Sequence, residues 1–373
     1  MPARILIATH SHLSAEFGAG QMAINLAEAL RAVGHDVTLW SPQPMPKGTK
    51  WWQSLQQMRA KLDEFVEAEG PFDVIDCSAT FITRRVQKSA FVVARSTQPE
   101  ILYLVDGIIA FTRSQANIKN LARIVATQLY TLFHLYLVLQ GWRRANYILC
   151  LGTFELQWMR RRFPWWRNKI ASYMNALSGS DQEALATIRN KRKPASSGSL
   201  RFLWIGRWTS HKGTDVLIDF INAWSSHRPQ DSFTIAGCGT EAKKDCPAGL
   251  LKSGRIRIVP SFDREELYSL LAGHDVGLFT SRVEGWGLSL NEMLESGMNV
   301  FATAAGATLD LQPFFNSLRP FPPPSNFELG GQKSEIGIIY YETFSWAEIA
   351  QKYVTLVLPG VMIMGADTYA SCQ

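Results

Sequence analysis

The feature that most constrains the fold is a glycine loop that lies between an apolar run and a helical pattern. Val276–Phe279 is short and apolar, which predicts a buried strand. Gly285 and Gly287 follow it, and helical periodicity then runs to Gly297, a residue type that commonly ends helices. A further strand is predicted from Val300. The segment therefore predicts a strand–loop–helix–strand unit that exposes backbone N–H groups at a helix N-terminus, where anions bind.

Two acidic residues flank this loop. Glu284 lies in the loop, and Glu292 lies in the helix four residues after Leu288, on the same face as the first turn. A phosphate held by that turn would have a carboxylate on either side, and carboxylates accept hydrogen bonds from hydroxyl groups. Hydroxyls, a diphosphate and further hydroxyls occur in that order in a nucleotide sugar. Either Glu alone is typical of an exposed acid, but the two together indicate a binding site.

The stretch Glu284-Gly-Trp-Gly-Leu-Ser-Leu-Asn-Glu292 resembles the E-x7-E signature of retaining glycosyltransferases of the GT-B fold. It is most similar to glycosyltransferase family 4, the glycosyl transferases group 1. The resemblance implies that Glu284 acts at the catalytic centre by contacting the donor sugar, and that Glu292 contacts the ribose of the nucleotide. It also implies that the sugar and the phosphate are held by the backbone of Gly285, Trp286, Gly287 and Leu288.

Two cations are predicted to complete this site. Arg201–Ile205 predicts a strand, and Gly206-Arg-Trp-Thr-Ser-His-Lys-Gly follows it directly. Arg207 and Lys212 would therefore lie at the carboxyl end of a parallel strand, where open α/β sheets bind ligands. A guanidinium and an ammonium group suit a diphosphate that gains charge as it leaves. The resemblance implies catalytic roles for both cations. Gly206 and Gly237, each following a predicted strand, are expected to border the donor nucleotide.

A second glycine loop lies near the start of the chain. Ile5–Ala8 predicts a strand, a loop reaches Gly18 and Gly20, and an amphipathic helix then extends to Val33, which together indicate a parallel βαβ unit. The loop lacks the full G-x-G-x-x-G pattern and is weak evidence of a phosphate site by itself. The resemblance implies that Gly18 and Gly20 face the donor diphosphate and the acceptor.

The sequence departs from the family in one acceptor-side segment. Many relatives have a His after a strand in a stretch similar to Arg95–Glu100, whereas this chain has Thr97 and Gln98 there. The difference leaves open whether acceptor chemistry is redirected or abolished.

Strands alternate with helices along the whole chain, which predicts the α/β class with doubly wound parallel sheets. The resemblance implies the GT-B arrangement, two Rossmann-like domains that face a central cleft. The predicted boundaries are an acceptor-side domain at 1–177, a linker at 178–200, a nucleotide-sugar-binding domain at 201–343, and a helix and tail at 344–373 that cross back to the first domain. Gly337–Tyr341 is predicted as the last strand of the second sheet.

Charge is unevenly distributed, because residues 1–177 carry a net charge of +8 and the remainder −2. A basic first half indicates an anionic partner. The segment Trp158–Lys169 combines cations with Trp165 and Trp166. Residues 124–142 carry no charge, but their polar residues favour a buried or membrane-touching helix over one that spans the membrane. We expect a peripheral contact with an anionic membrane; the alternative is a solvated helix end with core aromatics. No other feature is typical of a nucleic-acid-binding module, so no nucleic-acid partner is expected.

Cysteine usage and the N-terminus indicate a cytoplasmic protein. The five cysteines are scattered without metal-ligand spacing, and the sequence enters a strand almost at once, without a signal peptide. No Asp-x-Asp motif is present, so no metal or other cofactor is expected beyond the donor substrate.

These features predict a retaining, metal-independent glycosyltransferase of the hexosyltransferase type. It would move a sugar from a nucleoside diphosphate to a glycan or lipid-linked acceptor, in the biosynthesis of a cell-surface polysaccharide or glycolipid. One alternative is a glycoside hydrolase that uses Glu284 and Glu292 as its carboxyl pair; its site would leave the two cations without an anion. The other is a degenerate GT-B protein that binds a glycan or a protein partner without turnover.

Overall fold

The computed structural model describes residues 2–14, 18–45, 51–114, 121–192, 198–329 and 336–370. The chain divides into two compact units. The first unit comprises Met1–Ala176 together with Glu342–Gln373, and the second comprises Leu177–Tyr341. Each unit is built on one six-stranded sheet, so the predicted fold class, α/β with two parallel sheets, is confirmed.

The first unit has a parallel sheet with the strand order β2-β1-β3-β4-β5-β6. Its strands are β1 Arg4–Ala8, β2 Asp36–Trp40, β3 Val74–Cys77, β4 Phe91–Arg95, β5 Tyr147–Leu151 and β6 Ile170–Tyr173. Its helices are α1 Gly18–Ala32, α2 Trp51–Glu69, α3 Arg84–Ser89, α4 Glu100–Ser114, α5 Leu121–Arg144 and α6 Gly152–Arg162, with 3-10 turns at Ala79–Phe81 and Pro164–Lys169. The central strands are buried, as expected when helices cover both faces of a parallel sheet.

The second unit has a parallel sheet with the order β12-β11-β10-β7-β8-β9. Its strands are β7 Arg201–Ile205, β8 Ser232–Ala236, β9 Ile256–Val259, β10 Val276–Phe279, β11 Asn299–Ala302 and β12 Leu318–Pro320. Its helices are α7 Gly179–Lys191, α8 Thr214–His227, α9 Ala242–Asp245, α10 Ala248–Lys252, α11 Arg264–Gly273, α12 Leu288–Glu295, α13 Thr308–Leu311 and α14 Ile338–Thr343. Counted within the unit the order is 3-2-1-4-5-6, which is the Rossmann order, and its direction reverses between β7 and β10.

The last helix, α15 Trp346–Ala370, belongs to the first unit, where it packs on α1 and β4. Ala350, Tyr353 and Val357 bury the face that makes this contact. Their spacing of three and four residues is the spacing of one apolar stripe on a helix.

Two predicted segments differ from the structure. The strand predicted at Gly337–Tyr341 is wrong, because Ile338–Thr343 forms helix α14 and the sixth strand of the sheet is Leu318–Pro320. A short apolar run does not distinguish a buried strand from a buried helix turn.

The segment predicted as the linker contains helix α7. The helix begins where the Ser178 hydroxyl accepts a hydrogen bond from the backbone N–H of Asp181 at 3.2 Å.

Helix α5 combines a buried end with exposed apolar residues. Leu137, Val138 and Trp142 are buried in the core of the first unit, whereas Leu129 and Leu132 are 61% and 58% exposed. Within the described residues, one helical segment, Ile124–Arg144, is long and apolar enough to span a membrane by length and composition alone. Core helices of water-soluble domains meet the same criteria, so this segment by itself is weak evidence for spanning.

Two helical glycines of the first unit provide a matched test of this packing. A Cβ at Gly141 in α5 would lie 1.8 Å from the carbonyl oxygen of Ala79, whereas a Cβ at Gly107 in α4 would meet nothing within 4 Å. Gly107→Ala should stabilise the protein by about 1 kcal/mol, because alanine is the better helix former. Gly141→Ala should destabilise it by about 1–3 kcal/mol, because backbone must move to admit the methyl group. Thermal and urea unfolding of both variants are the measurements, and a stabilising Gly141→Ala would contradict the described packing.

Candidate functional site

The predicted donor-site residues of the second unit follow two neighbouring strands. β7 ends at Ile205 and β10 ends at Phe279, and the two strands pair in parallel. Their carboxyl ends therefore lie side by side, where the strand order reverses. In open α/β sheets this is the place where ligands bind. Arg207 and Lys212 follow β7, and Glu284 follows β10.

The two loops are joined through their backbones. The N–H groups of Arg282 and Val283 donate to the carbonyl of His211 at 2.8 and 3.2 Å. Gly213 has φ +65°, and a Cβ there would lie 2.0 Å from the carbonyl oxygen of Thr280. A side chain at this position would therefore push the loops apart as well as strain the backbone.

Lys212 and Glu284 form an ion pair between these loops. The Lys212 Nζ donates to Glu284 Oε2, and the two side chains are only 14% and 17% exposed. The Ser281 hydroxyl donates to the same carboxylate oxygen at 3.1 Å. Arg207 is exposed on the first loop. The structure thus brings a predicted phosphate-binding cation into contact with the predicted sugar-binding carboxylate.

The glycine loop turns into α12 through Gly287, which has φ +86°. A Cβ there would lie 2.8 Å from the ring of Phe279, so a larger residue would displace the loop from the end of β10. The Gly287 carbonyl accepts from the N–H groups of Leu290 and Asn291 at 2.9 and 3.2 Å. Helix α12 begins at Leu288. At any helix N-terminus the first backbone N–H groups have no acceptor within the helix.

The side chain of Trp286 is buried, with 3% exposure. Its Nε1 donates to Asn291 Oδ1 at 2.9 Å, and Asn291 Nδ2 donates to Glu295 Oε1 at 3.0 Å and to the Tyr340 hydroxyl at 2.6 Å. The Tyr340 hydroxyl donates to Glu295 Oε1 at 2.5 Å. Burial raises the pKa of Glu295 to about 7. The indole therefore holds the loop against α12 and α14, and no local sequence pattern marks Asn291, Glu295 or Tyr340 as its partners.

Glu292 is also buried, with 5% exposure. Its Oε1 accepts from Arg264 Nη1 at 2.6 Å. Burial raises the pKa of Glu292 to about 7, and the Arg264 charge acts in the opposite direction. Arg264 was not predicted, because it lies in α11 and no local pattern marks it as a partner of α12.

Gly206 and Gly237 lie together at the ends of β7 and β8. The Gly206 N–H donates to the carbonyl of Ala236 at 2.9 Å. Gly237 has φ +74°, and a Cβ there would be 3.0 Å from the Phe262 ring and 3.7 Å from the carbonyl of Gly206. Both glycines therefore border the same sheet edge as Arg207.

Gly18 and Gly20 belong to the first unit, where they form the first turn of α1 rather than a loop. A Cβ at Gly20 would lie 2.3 Å from the carbonyl oxygen of His12. Packing within the first unit is therefore enough to explain why position 20 is a glycine.

The acceptor-side segment Arg95–Glu100 has a buried cation, Arg95, and a half-buried acid, Glu100, whose side chains bond to residues of neighbouring segments. Arg95 Nε donates to Asp76 Oδ1 at 2.7 Å, and both side chains are buried. Glu100 Oε1 accepts from the Ser78 hydroxyl at 2.6 Å. Burial raises the pKa of Glu100 to about 7. Across the described residues, no group of three or more His, Cys, Asp or Glu side chains is placed to hold a metal ion.

A family model described as Glycosyl transferases group 1 matches residues 187–311. This segment resembles the glycosyl transferases group 1. It includes β7, β10 and α12, so the predicted resemblance is confirmed for the part of the chain that carries Arg207, Lys212, Glu284 and Glu292. No curated protein matches the chain by sequence.

Solved glycosyltransferase structures share the fold at low identity. The catalytic domain of starch synthase IV from Arabidopsis thaliana, bound to ADP and acarbose, has a TM-score of 0.63 at 12% identity and covers 97% of this chain and 100% of that one. An α,α-trehalose-phosphate synthase (UDP-forming) from Burkholderia vietnamiensis has a TM-score of 0.64 at 12% identity, with coverages of 96% and 100%. WaaG, a glycosyltransferase involved in lipopolysaccharide biosynthesis, has a TM-score of 0.57 at 12% identity, with coverages of 99% and 95%. The group 1 match covers residues 187–311, and the solved structures show that the chain as a whole shares their fold.

The Asn291 network predicts a measurable loss of stability. Asn291→Ala removes the acceptor of the Trp286 indole and the amide donor to Glu295 and Tyr340, which keep their mutual hydrogen bond, and a buried polar group that loses its partner costs about 1–3 kcal/mol. Asn222→Ala is the matched control, because Asn222 is exposed on α8 and should change stability by less than about 0.5 kcal/mol. Urea unfolding of both variants is the measurement. Equal effects would show that the network does not hold the loop.

Proposed function

We propose that this chain is a retaining glycosyltransferase of the hexosyltransferase type that transfers a sugar from a nucleoside diphosphate to a glycan or lipid-linked acceptor. The observation that carries the proposal is the Lys212–Glu284 ion pair at the strand-order reversal, before the N-terminus of α12, with Arg207 on the same loop as Lys212. Its expected setting is the biosynthesis of a cell-surface polysaccharide or glycolipid.

The chemistry follows from the charges of the site. The barrier lies in developing oxocarbenium character on the sugar while a diphosphate leaves. In the proposed mechanism the donor separates Lys212 from Glu284, so that the ammonium group meets the diphosphate and the carboxylate meets the sugar hydroxyls. Arg207 and the amides at the start of α12 stabilise the leaving charge, as preorganised donors do in other enzymes. Glu292 accepts hydrogen bonds from the ribose.

We propose further that the reaction needs no divalent metal ion. The support is that two cationic side chains, Arg207 and Lys212, follow β7 where the diphosphate is expected. Such side chains can offset phosphate charge without a metal.

Removal of the exposed cation provides the direct test. Arg207→Ala should lower kcat by about 10²–10³-fold, the usual cost of losing one preorganised charge-stabilising group. Arg84→Ala removes an exposed arginine of α3 and is the control that should leave kcat unchanged. The measurement is release of nucleoside diphosphate from a panel of nucleotide sugars, with and without EDTA. Full activity of Arg207→Ala would contradict the assignment, and loss of activity with EDTA that Mg²⁺ or Mn²⁺ restores would contradict metal independence.

The second candidate is a GT-B protein that binds a glycan or a protein partner without turnover. The observation that favours it is the altered segment that contains Thr97 and Gln98. A wild-type protein that binds nucleoside diphosphate but never releases it from any nucleotide sugar would support this candidate.

We also propose a peripheral contact with an anionic membrane on the cytoplasmic side. On α5, four exposed apolar residues repeat at the spacing of one helix face: Val125, Leu129, Leu132 and Tyr136. Val105 and Ile109 of α4, which packs on α5, are exposed as well.

An exposed aromatic residue and a surplus of cations support the same contact. Trp165 is 68% exposed. Residues 101–177 carry ten Lys and Arg against Asp106 and Glu155, and each cation near an anionic surface contributes about 1 kcal/mol.

Co-sedimentation with vesicles tests this contact. Wild type should bind vesicles that contain anionic lipid and bind neutral vesicles less. Leu129→Asp/Leu132→Asp and Arg161→Glu/Arg162→Glu should each weaken binding about tenfold or more, because they remove apolar contact or reverse charge. Arg160 is left unchanged because its Nη2 donates to the carbonyl of Ile170 at 3.0 Å.

Ile338→Asp, at an exposed apolar residue of the second unit, is the control that should bind as wild type does. Absence of binding in every combination would remove the membrane from the proposal and would favour a soluble acceptor.

A further inference from the structure

Arg264 joins two buried carboxylates of the second unit. Its Nε and Nη2 lie 2.8 and 2.6 Å from Oδ1 and Oδ2 of Asp181, and its Nη1 donates to Glu292 Oε1 at 2.6 Å. The side chains of Asp181 and Glu292 are only 6% and 7% exposed, whereas that of Arg264 is 40% exposed. A planar guanidinium can make both contacts at once, and a lysine ammonium group lacks this geometry.

Asp181 is itself fixed in place. The hydroxyl of Tyr268 donates to its Oδ1 at 2.6 Å, and the hydroxyl of Ser178 donates to its Oδ2 at 2.7 Å. Burial alone would raise the pKa of Asp181, but the hydrogen bonds from Arg264, Tyr268 and Ser178 lower it. Asp181 is therefore an ionised anchor that accepts a hydrogen bond from Nε of Arg264 and lies at ion-pair distance from its Nη2, while Nη1 points to Glu292 of α12.

Only one oxygen of Glu292 is used by this arrangement. Within the described part of the chain, Arg264 is the hydrogen-bond partner of its Oε1, and no group donates to Oε2. An ionised carboxylate with one open oxygen can accept hydrogen bonds from hydroxyl groups there, whereas a protonated carboxyl group has lost part of that capacity.

The titratable groups on the helices around Glu292 come from α7, α11, α12 and α14. α11 contributes Arg264 and Tyr268, and α7 contributes Asp181 and Arg189, whose Nη1 donates to the carbonyl of Glu295 at 2.7 Å. Glu295 follows in α12 itself and faces Tyr340 of α14. Strands β10 and β11 contain no titratable residue. Burial raises the pKa of Glu292 to about 7, Arg264 lowers it, and Asp181 raises it.

We propose that Arg264 and Asp181 are positioning residues for the donor nucleotide. Anchored by Asp181, Arg264 holds one oxygen of the Glu292 carboxyl group and leaves the second oxygen open to the vicinal hydroxyls of a ribose. This inference rests on the proposed function, because it concerns the nucleotide end of the same site. It makes recognition of the ribose depend on α7, more than a hundred residues before α12 in the chain.

The test is equilibrium binding of UDP, ADP and their 2′-deoxy forms to the full chain between pH 6 and pH 9. Wild-type affinity should increase as the pH rises through about 7, because Glu292 is ionised above its pKa. Without the guanidinium the pKa rises further. Arg264→Met should therefore bind about tenfold more weakly at pH 7, recover towards pH 9, and discriminate less between the ribose and deoxyribose forms at pH 7.

Two further variants separate positioning from general structural damage. The affinity of Glu292→Gln should vary with pH only as far as the ligand's own phosphate titrates. The affinity of Arg264→Lys should lie between those of wild type and Arg264→Met, because lysine keeps the charge but not the planar guanidinium geometry. Asp181→Asn should weaken discrimination because Arg264 loses its anchor, although removal of the Asp181 charge by itself lowers the pKa of Glu292.

Three outcomes would overturn the inference. Arg264→Met could bind as wild type does at every pH, or it could be weakened equally at every pH with its deoxyribose discrimination intact. In both cases the proposed function survives, because wild type still binds the nucleotide. If wild type binds no nucleoside diphosphate, the proposed function fails and the inference fails with it.

Discussion

The side-by-side placement of β7 and β10 is the constraint on which the candidate site depends. These strands are about seventy residues apart in sequence, and they become neighbours because the chain builds β8 and β9 on one side of β7 before it crosses to the other. The reversal leaves two carboxyl-terminal loops next to each other with no crossover helix between them. Lys212 and Glu284 can pair only because of this arrangement. Glycines at 213 and 287 then allow backbone to approach closely enough to fix the loops.

Two buried carboxyl groups of α12 have different hydrogen-bond partners and therefore different roles. Glu292 and Glu295 lie one turn apart in α12, both buried, and each has a different partner: Arg264 for the first, Tyr340 and Asn291 for the second. Burying a carboxyl group is costly unless hydrogen bonds compensate for the lost water. One acid therefore helps to hold the glycine loop through Trp286, and the other remains partly open to a ligand.

Much of the fold and part of the site could be predicted from local sequence. The apolar runs Arg201–Ile205 and Val276–Phe279 are strands as predicted, because a strand buried on both faces is nearly continuous in apolar residues. The placement of Lys212 and Glu284 at the same edge of the sheet could be predicted, because parallel strands have their carboxyl ends at one edge. Arg264 and Asp181 could not be found, because the chain of contacts from Asp181 through Arg264 to Glu292 depends on how three helices pack and not on any local period. Helix α14 was mistaken for a strand because Tyr340 is buried by tertiary packing, which a five-residue pattern does not encode.

The return of α15 to the first unit makes that unit discontinuous in sequence. During synthesis on a ribosome, the second unit, Leu177–Tyr341, is complete before α15 has emerged. The face of the first unit that receives Tyr353 and Val357 therefore stays open to water until α15 has been translated. Domains generally fold as units in the order of synthesis, and exposed apolar surface favours aggregation. The nascent first unit must thus wait through the synthesis of the entire second unit, which gives chaperones a defined interval in which to act.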